Sequence, residues 1–211
     1  MSGNLTIRRC LLADEPLMAA IVNDAAQAYK GIIPADRWYE PYMPLDELRS
    51  EIAAGVRFWG AELNGEAGGK LVGIMGSQDV DISANAAADA AYNLADNVAD
   101  NVADNERGGI GPNILGKVTL IRHAYVRTAQ RGQGIGGALL QHLMGLAERP
   151  LLMGTWAAAT WAVSFYQKHG FILTTHAEKE TLLRTYWDIP ARQVETSVVL
   201  ADARAIALIR R

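Results

Sequence analysis

The stretch that most constrains this chain is a strand that runs into a glycine-rich turn and then directly into a helix. Val118-Thr-Leu-Ile-Arg-His-Ala-Tyr-Val126 is rich in strand formers, Arg127-Thr-Ala-Gln130 interrupts it, and Arg131-Gly-Gln-Gly-Ile-Gly-Gly137 follows. Ile135, Leu139, Leu143 and Leu146 then recur at helical spacing, which predicts a helix over Gly134–Ala147. The first amides of a helix have no partner within it, and the aligned peptide dipoles place partial positive charge there. Glycines let an anion approach that backbone, so the turn has the makings of an anion cradle. It is not a Walker loop, because no Gly-Lys-Ser/Thr closes it. Nor is it a clean dinucleotide fingerprint: Gly132-Gln-Gly134-Ile-Gly136-Gly137 carries an extra glycine at the fifth place, and the preceding elements do not make a Rossmann crossover.

The rest of the chain divides into alternating strand and helix signals. Leu5–Leu11 reads as a strand, and Asp14-Glu15-Pro16 as a helix start leading to about Ala28. Tyr29 to Tyr42 is a loop dense in Pro and aromatics. A second helix follows Pro44 on the stripe Leu45, Leu48 and Ile52, and stops at Gly55. Val56–Leu63 and Leu71–Val80 form a hairpin across Asn64–Gly69. Beyond Lys117–Val126 come a strand at Leu151–Trp156, a helix at Thr160–His169, a strand at Phe171–Thr175, a helix at Lys179–Trp187 and a last strand at Glu195–Leu200. Hairpin strands mixed with helical crossovers predict an α/β chain of α+β type with a mixed sheet flanked by helices, as one domain over 1–211. Ser83 to Gly111 breaks the pattern. Asn93-Leu-Ala-Asp, Asn97-Val-Ala-Asp and Asn101-Val-Ala-Asp repeat one tetrapeptide, far shorter than a solenoid unit of about 20–50 residues. It reads as a low-complexity insertion at about 83–111.

Composition narrows the function classes. Half of the 211 residues are apolar, enough for a sizeable core, and the net charge of −3 argues against a duplex nucleic-acid partner. The single cysteine, Cys10, excludes an intramolecular disulfide and reads as a small buried hydrophobe. Neither a signal-peptide pattern nor an apolar run of about 18–20 residues is present, which predicts a cytoplasmic protein with no membrane partner.

Arg131-x-x-Gly134-x-Gly136 after a strand resembles the pyrophosphate-binding motif (Gln/Arg-x-x-Gly-x-Gly/Ala) of the GNAT superfamily of acyl-CoA N-acyltransferases. Ala162-Val-Ser-Phe-Tyr166-Gln-Lys-His-Gly170-Phe171 resembles that superfamily's second signature, in which a helix carrying Phe-Tyr-x-Lys ends at Gly-Phe. The spacing of the two and the order of elements over most of residues 5–200 are similar as well. The resemblance implies the GNAT fold, with a mostly antiparallel sheet of about seven strands. It implies acetyl-CoA as acyl donor, coenzyme A as product, no metal, and a small-molecule or peptide amine as acceptor. Backbone groups of Tyr125 and Val126 then pair with the pantetheine arm, and Arg131, Gly132, Gln133, Gly134, Ile135, Gly136 and Gly137 surround the pyrophosphate.

The same resemblance assigns Tyr166 to protonate the departing thiolate; an ordinary phenol, with a pKa of about 10, still holds its proton at pH 7. The acceptor amine attacks the thioester carbonyl directly in a ternary complex, and a base must take its proton. The position that supplies a base in some relatives falls near Leu120, which cannot act as one. Arg122 and His123 adjoin it, and His123 is the candidate. Tyr29, Trp38 and Tyr42, with Trp59, are candidate walls of the acceptor pocket. Glu62 and Asp79 lie on strands and are expected to pair at the surface. Ala159 departs from the pattern, because Asn commonly stands seven residues before the signature tyrosine. The rival reading is a non-catalytic acyl-CoA-binding module. Edge pairing near Glu195–Leu200 is the route to a homodimer.

Overall fold

The computed structural model describes residues 4–65, 68–82 and 115–211. The repeat insertion predicted at about 83–111 and the tip of the predicted hairpin turn lie outside them. Seven strands make a mixed sheet flanked by helices, and the chain falls into two compact units, each discontinuous in sequence.

The first unit is Met1–Asp79 with Leu120–Glu148. It holds β1 (Asn4–Arg9), β2 (Arg57–Gly65) and most of β3 (Gly68–Asp81) and of β4 (Lys117–Val126), in that order across the sheet. β1 pairs antiparallel with β2 from Asn4↔Asn64 to Arg9↔Trp59, and β2 pairs antiparallel with β3, with a bulge at Ala61/Glu62. Helix α1 (Glu15–Ala26) carries Pro16 in its first turn, where a missing N–H costs nothing. Asp14 precedes the helix as expected, but its carboxylate does not cap the helix amides. It accepts instead from the Leu11 amide at 2.7 Å and from Arg8, which also pairs with Glu62. Helix α2 (Leu45–Ala53) buries Leu48 completely, and Gly55 at φ 97° turns the chain into β2. Met18, Ile21 and Val22 of α1 join Leu48, Val56, Phe58, Leu71 and Ile74 in one core cluster. Helix α3 (Ile135–Leu146) turns Ile135, Leu139, Leu140 and Leu143 inward. Gly73 of β3 is what lets it approach. A Cβ there would stand 3.1 Å from Ile135 Cγ2, 3.2 Å from Val126 Cγ2 and 3.3 Å from Leu139 Cδ1.

The second unit is Val80–Thr119 with Arg149–Arg211. It holds β5 (Leu151–Trp156), β6 (Ile172–Leu173) and β7 (Ser197–Ala201) in the order β5-β7-β6. β7 pairs antiparallel with β5 from Leu152↔Ala201 to Trp156↔Ser197, and with β6 on its other side. This corrects one expectation. The last strand is an inner strand, paired along its length with β5 and at Val199–Ala201 with β6 and Thr174, and is not the edge strand of the sheet.

Helix α4 (Thr160–Lys168) ends at Gly170, φ 87°. Helix α5 (His176–Tyr186) starts three residues before the predicted helix, because Thr175 and Glu178 form a reciprocal capping box. Arg210 pairs with the same Glu178 at 2.7 Å. Two short helices, α6 (Ala191–Thr196) and α7 (Ala203–Ile209), were not anticipated. The second has a legible signal in Asp202, whose carboxylate caps the Ala205 amide at 2.8 Å.

Candidate active site

In the first unit, the chain leaving β4 is clamped before it reaches the glycines. The Arg127 amide donates to the Val72 carbonyl at 2.8 Å, and the Thr128 amide to the Asp24 carboxylate at 2.6 Å. The Arg131 guanidinium donates to the Ala25 carbonyl at 2.7 Å, so this arginine braces the turn against the last residues of α1 besides bringing charge to it. Gly132 and Gly134 both sit at φ 78°, the left-handed region that other residues enter at a cost of about 1–2 kcal/mol. Nothing lies within 4 Å of a Cβ built at either position. These glycines are therefore required by the backbone conformation, and the space beside them is open.

Arg131, Gly132, Gln133 and Gly134 are exposed, Gly136 and Gly137 half-buried, and Ile135 buried, so Ile135 anchors the helix start while its neighbours face out. Among the described residues, no hydrogen bond occupies the amides of Gly132, Gln133 or Gly134, and no side chain caps α3. A run of unpaired amides thus continues into a helix N-terminus. That donor set suits a diphosphate.

Upstream on β4, Tyr125 packs against the core cluster and Val126 is half-buried. His123 is at φ 50°, the one described non-glycine residue with positive φ, a conformation that costs of order 1–3 kcal/mol. Successive side chains of a regular strand point to opposite faces, yet Arg122 and His123 reach the same carboxylate. Arg122 Nη2 donates to Glu51 Oε1 at 3.1 Å, and His123 Nε2 lies 3.1 Å from Glu51 Oε2. The left-handed residue is what turns the two neighbours to one side. Glu51 Oε2 and His123 Nε2 are both buried, and neither completes a well-aligned hydrogen bond. Burial by itself pushes the Glu51 carboxyl up, but contact with His123 and the charges of His123 and Arg122 outweigh it and hold it below the usual carboxylate range. Glu47, one turn earlier on α2, shifts the other way, through burial first and then the charge of Glu51. Gln78 takes a second Arg122 donor at 2.9 Å, and the Phe58 ring lies 5.7 Å from that of His123. Glu47 and Glu51 were not singled out from sequence. Their one signal is an acidic pair at four-residue spacing, which does not reveal a histidine 72 positions further on.

The loop between α1 and α2 gathers three of the candidate acceptor aromatics. Tyr29 stacks with Tyr42 at 6.0 Å between centroids, Trp38 lies 5.5 Å from Tyr42, and all three rings are half-buried. Trp59 does not join them. It sits under Arg9 and beside His142. Glu62 and Asp79 pair with Arg8 and Arg57.

In the second unit, Tyr166 of α4 is buried, at 3% exposure. Its ring meets Phe165 and Phe171 edge-on, with centroids 4.9 Å and 5.8 Å away, and its carbonyl accepts from the Phe171 amide. The Phe-Tyr and Gly-Phe of the second signature are thus one packed unit around the helix end. Ala159, where relatives commonly place Asn, is the N-cap of α4 and fully buried.

Residues 54–173 match the family model of the acetyltransferase (GNAT) domain. This chain belongs to the GNAT acetyltransferase family. It is therefore an acyltransferase enzyme, and acetyl-CoA is its co-substrate. No curated protein matches the sequence.

Solved structures share the fold at low identity. A GNAT-family acetyltransferase from Streptococcus agalactiae superposes with a TM-score of 0.59 at 10% identity, covering 94% of each chain. The PaiA N-acetyltransferase from Thermoplasma acidophilum, solved with coenzyme A, gives 0.56 at 15% identity over 94% of this chain and 98% of its own. NAA60 from Arabidopsis thaliana, solved with acetyl-CoA, gives 0.51 at 16% identity over 94% and 97%. Among the described residues, no helix of this acetyltransferase is long and apolar enough to cross a membrane.

Proposed function

We propose that this GNAT enzyme is an N-acetyltransferase that moves the acetyl group of acetyl-CoA to a primary amine by direct attack within a ternary complex. The observation that carries the reading is the open row of amides at Gly132–Gly134 leading into α3, with Gly132 and Gly134 in the left-handed conformation and clear space beside them. Those amides, with Ile135, Gly136 and Gly137 and the braced Arg131, bind the diphosphate. Tyr125 and Val126 offer backbone groups to the pantetheine arm. Acetyl-CoA supplies the thioester carbonyl, and the C–S bond breaks as the new C–N bond forms.

His123 takes the proton that the amine must lose, a task suited to imidazole near neutral pH. The Tyr166 hydroxyl returns a proton to the departing sulfur. The amine rests against the cluster of Tyr29, Trp38 and Tyr42, whose faces attract cationic or apolar acceptors. The acceptor class stays broad, covering small amines and peptide termini.

Calorimetry with acetyl-CoA tests the binding half, and no heat of binding at millimolar acetyl-CoA would refute it. Thiol release across a panel of primary amines tests the transfer half. Tyr166→Phe is expected to lower kcat by about 10²-fold or more, in the range of general-acid contributions, with acetyl-CoA affinity nearly unchanged. Equal losses in both would count against the proton-donor role.

A further inference from the structure

We infer that Glu51 of α2 is a positioning residue for His123, holding the imidazole with its Nε2 proton toward the carboxylate so that Nδ1 is left to accept the proton of the incoming amine. The inference rests on the reading of His123 as the base, and it adds the group that orients that base. Three observations carry it.

First, the contact is made against the preference of the backbone. A strand residue at φ 50° has a conformation that only a surrounding network maintains, and here it brings His123 beside a carboxylate already gripped by its neighbour Arg122. Second, the facing atoms are enclosed. Nε2 and Oε2 are both buried and 3.1 Å apart; the carboxylate oxygen also lies 3.0 Å from Arg122 Nη2, whereas Glu51 is the acid in contact with Nε2 among the described residues. Third, the carboxylate is anchored through both oxygens, with Arg122 Nη2 3.1 Å from Oε1 and 3.0 Å from Oε2. Arg122 engages Glu51 and is itself held by Gln78, which fixes the oxygen that faces the ring.

The groups facing the imidazole are Glu51 and Glu47 from α2, Arg122 from its own strand and the Phe58 ring from β2. Glu51 stays ionised in this setting, because its contacts with His123 and Arg122 hold its carboxyl below the usual range despite burial. An ionised carboxylate accepts and cannot donate. A neutral ring facing it therefore carries its proton on Nε2 and leaves the Nδ1 lone pair free, the division of labour that a histidine base needs.

The test uses the full-length protein and a ring-proton readout that does not depend on the acceptor. Proton NMR at pH 8 is expected to show one downfield imidazole N–H, protected from exchange and assigned by its loss in His123→Asn. That signal is lost in Glu51→Ala. Arg122→Met removes the guanidinium but leaves the Glu51 carboxylate beside the ring, and is expected to keep the signal. In parallel, thiol release is followed with acetyl-CoA and three probe amines: spermidine, tyramine and a tripeptide with a free α-amine. Glu51→Ala is expected to lose at least about tenfold in kcat with acetyl-CoA affinity within twofold, and Glu51→Gln to fall between it and the natural protein.

An absent ring signal, a signal that survives Glu51→Ala, or equal loss in Glu51→Ala and Arg122→Met overturns the inference. So does an unchanged kcat in Glu51→Ala. If the natural protein binds acetyl-CoA but acetylates none of the three amines, the reading of amine transfer is refuted and the inference falls with it.

Discussion

Gly134 allows the anion cradle to be tested apart from the fold. It sits at φ 78° and ψ 0° as the N-cap of α3, and a Cβ added there meets no atom within 4 Å. Gly134→Ala therefore carries no steric cost inside the protein. It carries the left-handed penalty of about 1–2 kcal/mol, reduced by about 0.4–1 kcal/mol because alanine has less unfolded-state freedom to lose. A net loss of about 1 kcal/mol corresponds to a fall in Tm of roughly 2–4 °C for a chain of this size. Gly134→Glu has the same backbone cost and adds a carboxylate on the exposed side of the turn.

A carboxylate about 6 Å from a diphosphate bearing two charges is repelled by about 1.4 kcal/mol with the dielectric of water, and by several times that at the effective value near a protein surface. The glutamate variant should thus match the alanine variant in Tm to within a degree or two, and bind acetyl-CoA at least about tenfold more weakly. Differential scanning fluorimetry and isothermal calorimetry on the two proteins decide it. If they bind acetyl-CoA with affinities within threefold of each other, the amides of this turn do not hold the diphosphate.

Further perturbations probe the surroundings of the site. Asp24→Ala removes the carboxylate that takes the Thr128 amide at 2.6 Å. A few-fold loss of acetyl-CoA affinity is expected in calorimetry as the turn loosens, with about 1 kcal/mol lost from stability in urea. Arg8, and less so the Leu11 amide, hold the Asp14 carboxyl below the usual carboxylate range. The folded state therefore gains stability from Asp14 above its unfolded pKa of about 3.9, and loses it as pH falls through the lower folded value. The urea midpoint of Asp14→Asn should lie below that of the natural protein at pH 7, and the gap should close as pH is lowered below about 4; a gap independent of pH would refute the linkage. Burial, with Asp14 nearby, pushes the Cys10 thiol up to about 12. Iodoacetamide at pH 8 should leave the native protein unmodified over an hour and alkylate it readily in urea, as mass spectrometry would report.

Local chemistry made much of this protein legible from sequence. Strands β4 and β5 were placed to the residue, because the runs of strand formers at Lys117–Val126 and Leu151–Trp156 start directly after the breakers Gly116 and Pro150. The turn at Arg131–Gly137 was legible because left-handed backbone needs glycine, whatever surrounds it. The pairing of Phe-Tyr with Gly-Phe is likewise short-range, a helix end packing on its own last turn. Weak local signals were missed or shifted. Ile172–Leu173 is a two-residue strand that exists through its pairing with β7, and α6 is a six-residue helix with no side-chain cap.

What tertiary structure alone decided is which distant groups meet. Glu51 and His123 are far apart in sequence, and no periodicity links them; a left-handed residue in β4 and the packing of α2 bring them to 3.1 Å. Arg131 was legible as a charge beside an anion, but its bond to the Ala25 carbonyl depends on where α1 ends. The final strand was readable as a strand, whereas its place between β5 and β6 is a matter of topology. Backbone conformation and capping are decided within a few residues and so are written in the chain. Partners of buried charges and the order of strands depend on long-range packing, which only the folded chain specifies.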